Sequence, residues 1–175
     1  MDLKLCYYGN PILRRKCDPV ELNDEIRTFI QDMMDTVHSH DSIGLAAPQV
    51  GRALRIFLVR NHIIKPNGDY EFTDLAVYIN PKLSNPTKET EILSEGCMSF
   101  PRFYIDVERP IGITVEAMGL DGKIFKEELT GFKARQVMHE NDHINGVLFI
   151  DRMDPKKRKE AEPLITRIKK KHKVR

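Results

Sequence analysis

The chain has 175 residues, 41% of them hydrophobic and 31% charged, with a net charge of +2. That length suits one domain able to bury a core without cross-links, and three cysteines (6, 17 and 97) are a poor basis for a disulfide framework. No stretch approaches the ~20 apolar residues of a membrane span, and the opening MDLKLCYYGNPILRRK lacks the apolar core and cleavage site of a secretory signal. A soluble globular protein with reduced thiols, in the cytosol and without a membrane partner, is the expectation.

Along the chain, Asn23 stands before Ile26, Phe29, Ile30, Met33, Met34 and Val37, whose spacing predicts a capped helix over 24–38. DSIGLAAPQVG (41–51) combines small residues with a proline and reads as loop or short strand, its glycines allowing close backbone approach. Apolar, β-branched runs predict strands at 54–59, 76–79, 90–93, 104–107, 111–117 and 123–129. A turn cluster lies at 65–69, Asn80-Pro81 is expected to stop the 76–79 strand, and Asp121-Gly122 signals a hairpin. A second helix is expected from near Thr130 to Asn145-Gly146, with Gly146 just past its end. A third covers 156–172, where Pro163 is expected to kink or split it. Strands between helices make the class α+β: short antiparallel strands around a central helix, with an N-terminal and a C-terminal helix.

The charge is unevenly placed. From Pro155 to Arg175 there are ten Lys/Arg and two Glu, net +8, whereas 1–154 carries 18 basic and 24 acidic residues, net −6. The reading is therefore one catalytic domain, 1–154, and a basic helical tail, 155–175. A localised basic tail points to a polyanionic partner, although a merely solvated helix explains the same residues.

The chemistry centres on the second helix. His139 and His143 are four residues apart, so a helix puts them on one face within reach of one cation. Glu140 sits beside the first histidine, placed to handle a proton without taking a ligand position, which is the H-E-x-x-H arrangement. Chance would produce it in roughly 0.015 of chains with this composition, so two unrelated surface histidines are a weak alternative. Apolar flanks at Val137-Met138 and 147–150 bury the helix, and buried histidines need a partner. A catalytic metal usually takes three protein ligands. The third could be His, Asp, Glu or Cys; Cys97, after Gly96, is a candidate, though a lone cysteine is more often a small buried hydrophobe. H-E-x-x-H alone leaves open a metallohydrolase such as an endopeptidase, or a ribosome-binding protein with a structural metal.

GLAAPQVG (44–51), EGCMSFP (95–101) and HENDH (139–143), in that order, resemble the peptide deformylases, specifically the bacterial class with a C-terminal helix. The resemblance covers about 4–154 and includes YYGNPILRRKCDPV and FYIDVERP. It implies Cys97, His139 and His143 as metal ligands and Glu140 as the acid/base. It also implies Gln49 and the Met98 backbone N–H as oxyanion donors, and Glu95 as the carboxylate orienting the site. Ile43 and Gly44 would pair with an extended peptide. A formyl-methionine side chain needs an apolar pocket, which Val137 and Ile43 are placed to line, although plain core explains apolar residues there equally well. The implied reaction removes formyl groups from N-formylmethionyl nascent peptides, with Fe²⁺ as the usual ion and Ni²⁺, Co²⁺ or Zn²⁺ as substitutes. The implied partner of tail 156–175 is the ribosome, the implied setting is a bacterial-type cytosol, and a monomer is expected. The chain departs from the common pattern at Ser42 and Arg102, where glycine is frequent, at Met98 in place of leucine, and at Phe100 in place of a smaller aliphatic residue.

Overall fold

A computed structural model of the chain describes residues 1–172 and, at Tyr70, the backbone alone; the last three residues of the predicted tail lie outside the described residues. The described residues include the α-helices α1 (Asp24–Ser39), α2 (Gly131–Ile144) and α3 (Pro155–Lys171). The strands are β1 (Gly44–Ala46), β2 (Ile56–Val59), β3 (His62–Ile64), β4 (Tyr70–Phe72), β5 (Ala76–Ser84), β6 (Thr90–Cys97), β7 (Phe100–Pro110), β8 (Gly112–Met118) and β9 (Ile124–Thr130). They form an antiparallel sheet in the order β1-β2-β5-β8-β9 and two hairpins, β3-β4 and β6-β7. The α+β architecture agrees with the sequence pattern.

Side-chain alternation on β2 shows how the layers meet. Ile56 and Leu58 pack with Phe29, Ile30 and Met33 of α1. Phe57 and Val59 point the other way and pack with Ala134, Val137 and Met138 of α2. All four β2 residues are therefore buried, as expected of a strand covered on both faces. A third apolar cluster joins Leu13, Phe100, Phe149, Ile165 and Ile168, fastening α3 to the β6-β7 hairpin.

Two expectations are corrected. Asn80-Pro81 does not stop the strand; β5 runs on to Ser84 through a register shift between Ile79 and Lys82. Asn80 adopts φ +49 there, and its side-chain amide both accepts from the Val20 N–H (2.9 Å) and donates to the Val20 carbonyl (2.8 Å). A bulge accommodates a proline that has no N–H to give the ladder. Nor does Pro163 split the C-terminal helix, because α3 is continuous across it. Its exposed position leaves the buried pair Ile165 and Ile168 to hold the helix in place. The short β3 and β4, on either side of the 65–69 turn, have three residues each, too few for alternation to mark them as strands. Gly146 does follow α2 as expected, with φ +72, and a Cβ there would lie 2.5 Å from the Arg14 carbonyl oxygen.

Candidate active site and metal centre

Helix α2 is buried on two sides. Ala134, Val137, Met138 and Ile144 meet the sheet, while Arg135, His139, Asp142 and His143 share the face turned to the β6-β7 hairpin. The hairpin's tight end brings Cys97 to this face: pairing proceeds regularly from Thr90↔Pro110 to Gly96↔Tyr104 and then jumps to Cys97↔Phe100. The Cys97 Sγ lies 3.3 Å from His143 Nε2, and one donor atom each from Cys97, His139 and His143 falls within 4.8 Å of the others. A thiolate and two imidazoles suit Fe, Co, Ni or Zn.

A charged network behind the histidines fixes their orientation. Glu95 Oε2 accepts from His139 Nδ1 at 2.9 Å, which turns the other ring nitrogen toward the donor cluster. Glu95 in turn accepts from Arg109 Nε (2.6 Å), Arg109 Nη2 (2.9 Å) and Arg135 Nη1 (2.8 Å). Arg109 also donates to Asp142 (2.9 Å), which Arg152 holds from its other side at 2.5 Å. Burial pulls the Glu95 carboxyl upward, but His139 and Arg109 outweigh it and keep the group well below the usual carboxylate range.

Burial also disfavours charge on both imidazoles. At His143 the neighbouring cations add to it, driving the pKa well below its ordinary value. At His139 contacts to Cys97 and Glu95 overcome it and push the pKa up to about 10. A cation bound there would compete with that proton for the same lone pair. Glu140 is buried with Oε2 lacking a hydrogen-bond partner, and burial pushes its carboxyl up to about 7. Its other oxygen lies under Gly44, where a Cβ would come within 2.5 Å of Oε1. An orphaned carboxylate oxygen beside three converging donors fits a site built to hold a metal ion and water.

Gln49 lies in a single-turn helix (Ala47–Val50) after β1. Its Oε1 accepts from the Ala46 N–H (2.8 Å), which leaves Nε2 to point at Ser99 Oγ (3.2 Å) and Cys97 Sγ (3.5 Å). Ile43, Gly44, Gln49, Glu95, Cys97, Met98, His139 and Glu140 all line one cleft of about 450 Å³. His143 closes it from behind, 1% exposed. Val137 is elsewhere: it is fully buried in the sheet-facing core, and α2 lines the cleft with Phe132 and Gln136 instead. Sequence reasoning also missed Arg109, Arg135, Asp142 and Ser99. Two of them had a signal, since Asp142 lies between the paired histidines and Arg135 lies one turn before His139 on the same face.

A Cys-His-His donor set with both histidines buried and a buried glutamate beside it, on an α+β frame, defines a metal-dependent hydrolase. Residues 2–159 match the polypeptide deformylase family. The peptide deformylases of Thermotoga neapolitana and Thermotoga maritima are each 41% identical to this chain over 152 residues, 86% of it and 87% of theirs. Among solved structures, the peptide deformylase of Legionella pneumophila superposes with a TM-score of 0.82 at 33% identity, covering 97% of this chain and 96% of its own. That of Thermus thermophilus gives 0.86 at 32% identity, covering 98% and 99%. The chain belongs to the polypeptide deformylase family, which sets aside the endopeptidase and structural-metal readings. Among the described residues no helix is long and apolar enough to cross a membrane.

Proposed function

We infer that this protein hydrolyses the N-formyl group of N-formylmethionyl nascent peptides, releasing formate and a free amino terminus. The observation that carries the reading is the meeting of the Cys97, His139 and His143 donors with the unpartnered Glu140 oxygen in a cleft bordered by an open strand edge. β1 is the outer strand of its sheet and pairs with β2 alone. Its free edge, with Ile43 just ahead of it and Gly44 within it, suits an extended peptide adding as one more strand, and β6 borders the cleft opposite through 94–97.

Cys97, His139 and His143 would hold the ion, with Fe²⁺ as the native one. The bound ion supplies a Lewis acid that lowers the pKa of water and polarises the formyl carbonyl. Glu140 takes a proton from the attacking water and delivers it to the leaving amine nitrogen. Water's oxygen bonds to the formyl carbon, the C–N bond breaks, and formate and amine account for every atom. As the carbonyl oxygen gains negative charge, the Gln49 amide and the Met98 backbone N–H donate to it; one such donor is worth ~2.7–4 kcal/mol. Glu95 positions His139 rather than touching substrate.

Residues 1–154 form the catalytic unit, and the basic tail 155–175 docks on the ribosome, where nascent chains emerge. Supporting this is the tail's net charge of +8 on a body of −6, whose phosphate contacts would weaken steeply with salt. One chain supplies the whole cleft, consistent with a cytosolic monomer.

The test is anaerobic purification followed by formyl-Met-Ala-Ser, its unformylated counterpart and a peptide offering only internal bonds. Formate released from the first alone is expected. Metal-loaded protein that releases none defeats the reading.

A further inference from the structure

The cleft wall where the first side chain would sit is not purely apolar. Phe132, Gln136, His139 and Glu140 form one stripe along α2 facing the cleft. Gln136 lies three residues before His139, about 4.5 Å along the helix axis. The stripe thus runs from the donor cluster, past a carboxamide, to the Phe132 ring. The Gln136 side chain is half-buried and makes no hydrogen bond among the described residues, unlike Gln49, whose amide is oriented by the Ala46 N–H and Ser99 Oγ. A four-atom methionine side chain spans roughly one helical turn. With the formyl group at the donors, the thioether sulfur would come level with Gln136 and the terminal methyl would point on toward the Phe132 end of the stripe.

We propose that Gln136 is a specificity-determining residue that reads the first side chain through its sulfur, donating from Nε2, and that the cleft therefore also accepts formylated methionine sulfoxide. The inference rests on the deformylase reading. A thioether sulfur is a weak acceptor, so the preference for methionine over its all-carbon analogue norleucine is modest. A sulfoxide oxygen is a far better acceptor, and oxidation turns an apolar side chain into a polar one. An apolar wall would reject that oxygen because its hydration would be lost with nothing in return. A free carboxamide replaces the lost water. Phe132 keeps the pocket tip apolar, so charged first side chains remain excluded.

The experiment compares formate release from formyl-Met-Ala-Ser, formyl-norleucyl-Ala-Ser and formyl-Met(O)-Ala-Ser by the metal-loaded wild type and by Gln136→Leu and Gln136→Ala. All three peptides are run on one preparation, so the ratios of kcat/KM do not depend on how much protein is folded or loaded. The wild type should favour methionine over norleucine by about threefold to tenfold, the worth of one neutral hydrogen bond, and should turn over the sulfoxide peptide. Both variants should bring the methionine/norleucine ratio close to one and lower the sulfoxide rate relative to methionine by about tenfold or more. Ratios unchanged in both variants overturn the assignment while leaving deformylation intact. Failure of the wild type to release formate from any of the three peptides defeats the underlying reading instead.

Discussion

Helices α2 and α3 have 14 and 17 residues, and both are rich in charged and polar side chains. They occupy opposite environments. Nine residues of α2 are buried, among them Arg135, His139, Glu140, Asp142 and His143. In α3 only Ile165 and Ile168 are buried, and its lysines face solvent. A buried polar group costs free energy unless it is paired; on α2, Glu140 Oε2, Asn141 Oδ1 and His143 Nδ1 are buried without a hydrogen-bond partner, whereas Arg135, His139 and Asp142 are paired. On α3 water does that work, and its sequence is constrained chiefly by two isoleucines and a net charge. Polar side chains therefore mean chemistry in one helix and surface in the other.

That contrast can be broken most sharply at the reacting end of α2. Glu140→Gln should lower kcat about 10³-fold or more while bound metal, measured by elemental analysis, stays near wild type. Cys97→Ala should instead lose the metal. Next comes the close approach above Glu140: Gly44→Ala should displace the carboxylate and reduce kcat about 10²-fold, with the unfolding midpoint changed little by comparison. An unfolding midpoint lowered in step with kcat would mean that Gly44 serves packing alone.

The network behind the histidines should show up as stability. Arg109→Ala leaves Glu95 and Asp142 short of a buried partner and should cost about 3–5 kcal/mol in urea unfolding. A loss below about 1 kcal/mol would mean that water replaces the guanidinium. On α3 the corresponding change is apolar: Ile165→Ala should cost about 2–5 kcal/mol, whereas Lys156, Lys159 and Lys170 changed together to Gln should shift stability by no more than about 0.5 kcal/mol. That triple variant should still bind ribosomes less tightly in sedimentation at moderate salt, with short-peptide turnover intact. Because α3 is packed through Ile165 and Ile168, deletion of the helix would confuse these effects and charge substitution separates them.

The smallest effect lies at the junction before α3. Asp151 pairs with Arg14 and accepts from the Leu148 N–H at 2.9 Å. Burial raises its carboxyl, but the Arg14 contact overrides this and holds the pKa below its ordinary value of 3.8. A depressed folded-state pKa means the contribution is complete at neutral pH and fades as pH falls through that lowered value. Asp151→Asn should therefore be less stable than wild type at pH 7, and the gap should close in strong acid. A gap independent of pH would assign the loss to shape rather than charge.

Much of this molecule was legible in one dimension. Residues 24–38 and 130–145 announced their helices because periodicity and caps are local, and the spacing of His139, Glu140 and His143 carried its chemistry because a helix converts four residues into one face. What stayed hidden was anything set by a neighbour distant in sequence. β5 continues past Pro81 because Val20 ties down Asn80, and Arg109 matters because β7 sets it between Glu95 and Asp142.

The sequence by itself determined the α+β class, the paired histidines and the placement of charge at the C-terminus, all of which follow from spacing and composition. Cys97 was already implied by the resemblance, and the fold brings its sulfur to the two histidines; only the tertiary structure decided that Val137 belongs to the core and that Gln136 faces the cleft in its place. Adjacent residues on a helix point about 100° apart, so a core wall and a substrate wall differ by one position. Which of the two meets the sheet depends on how α2 is rotated against it, and that rotation is set by packing with Phe57, Val115 and Tyr78.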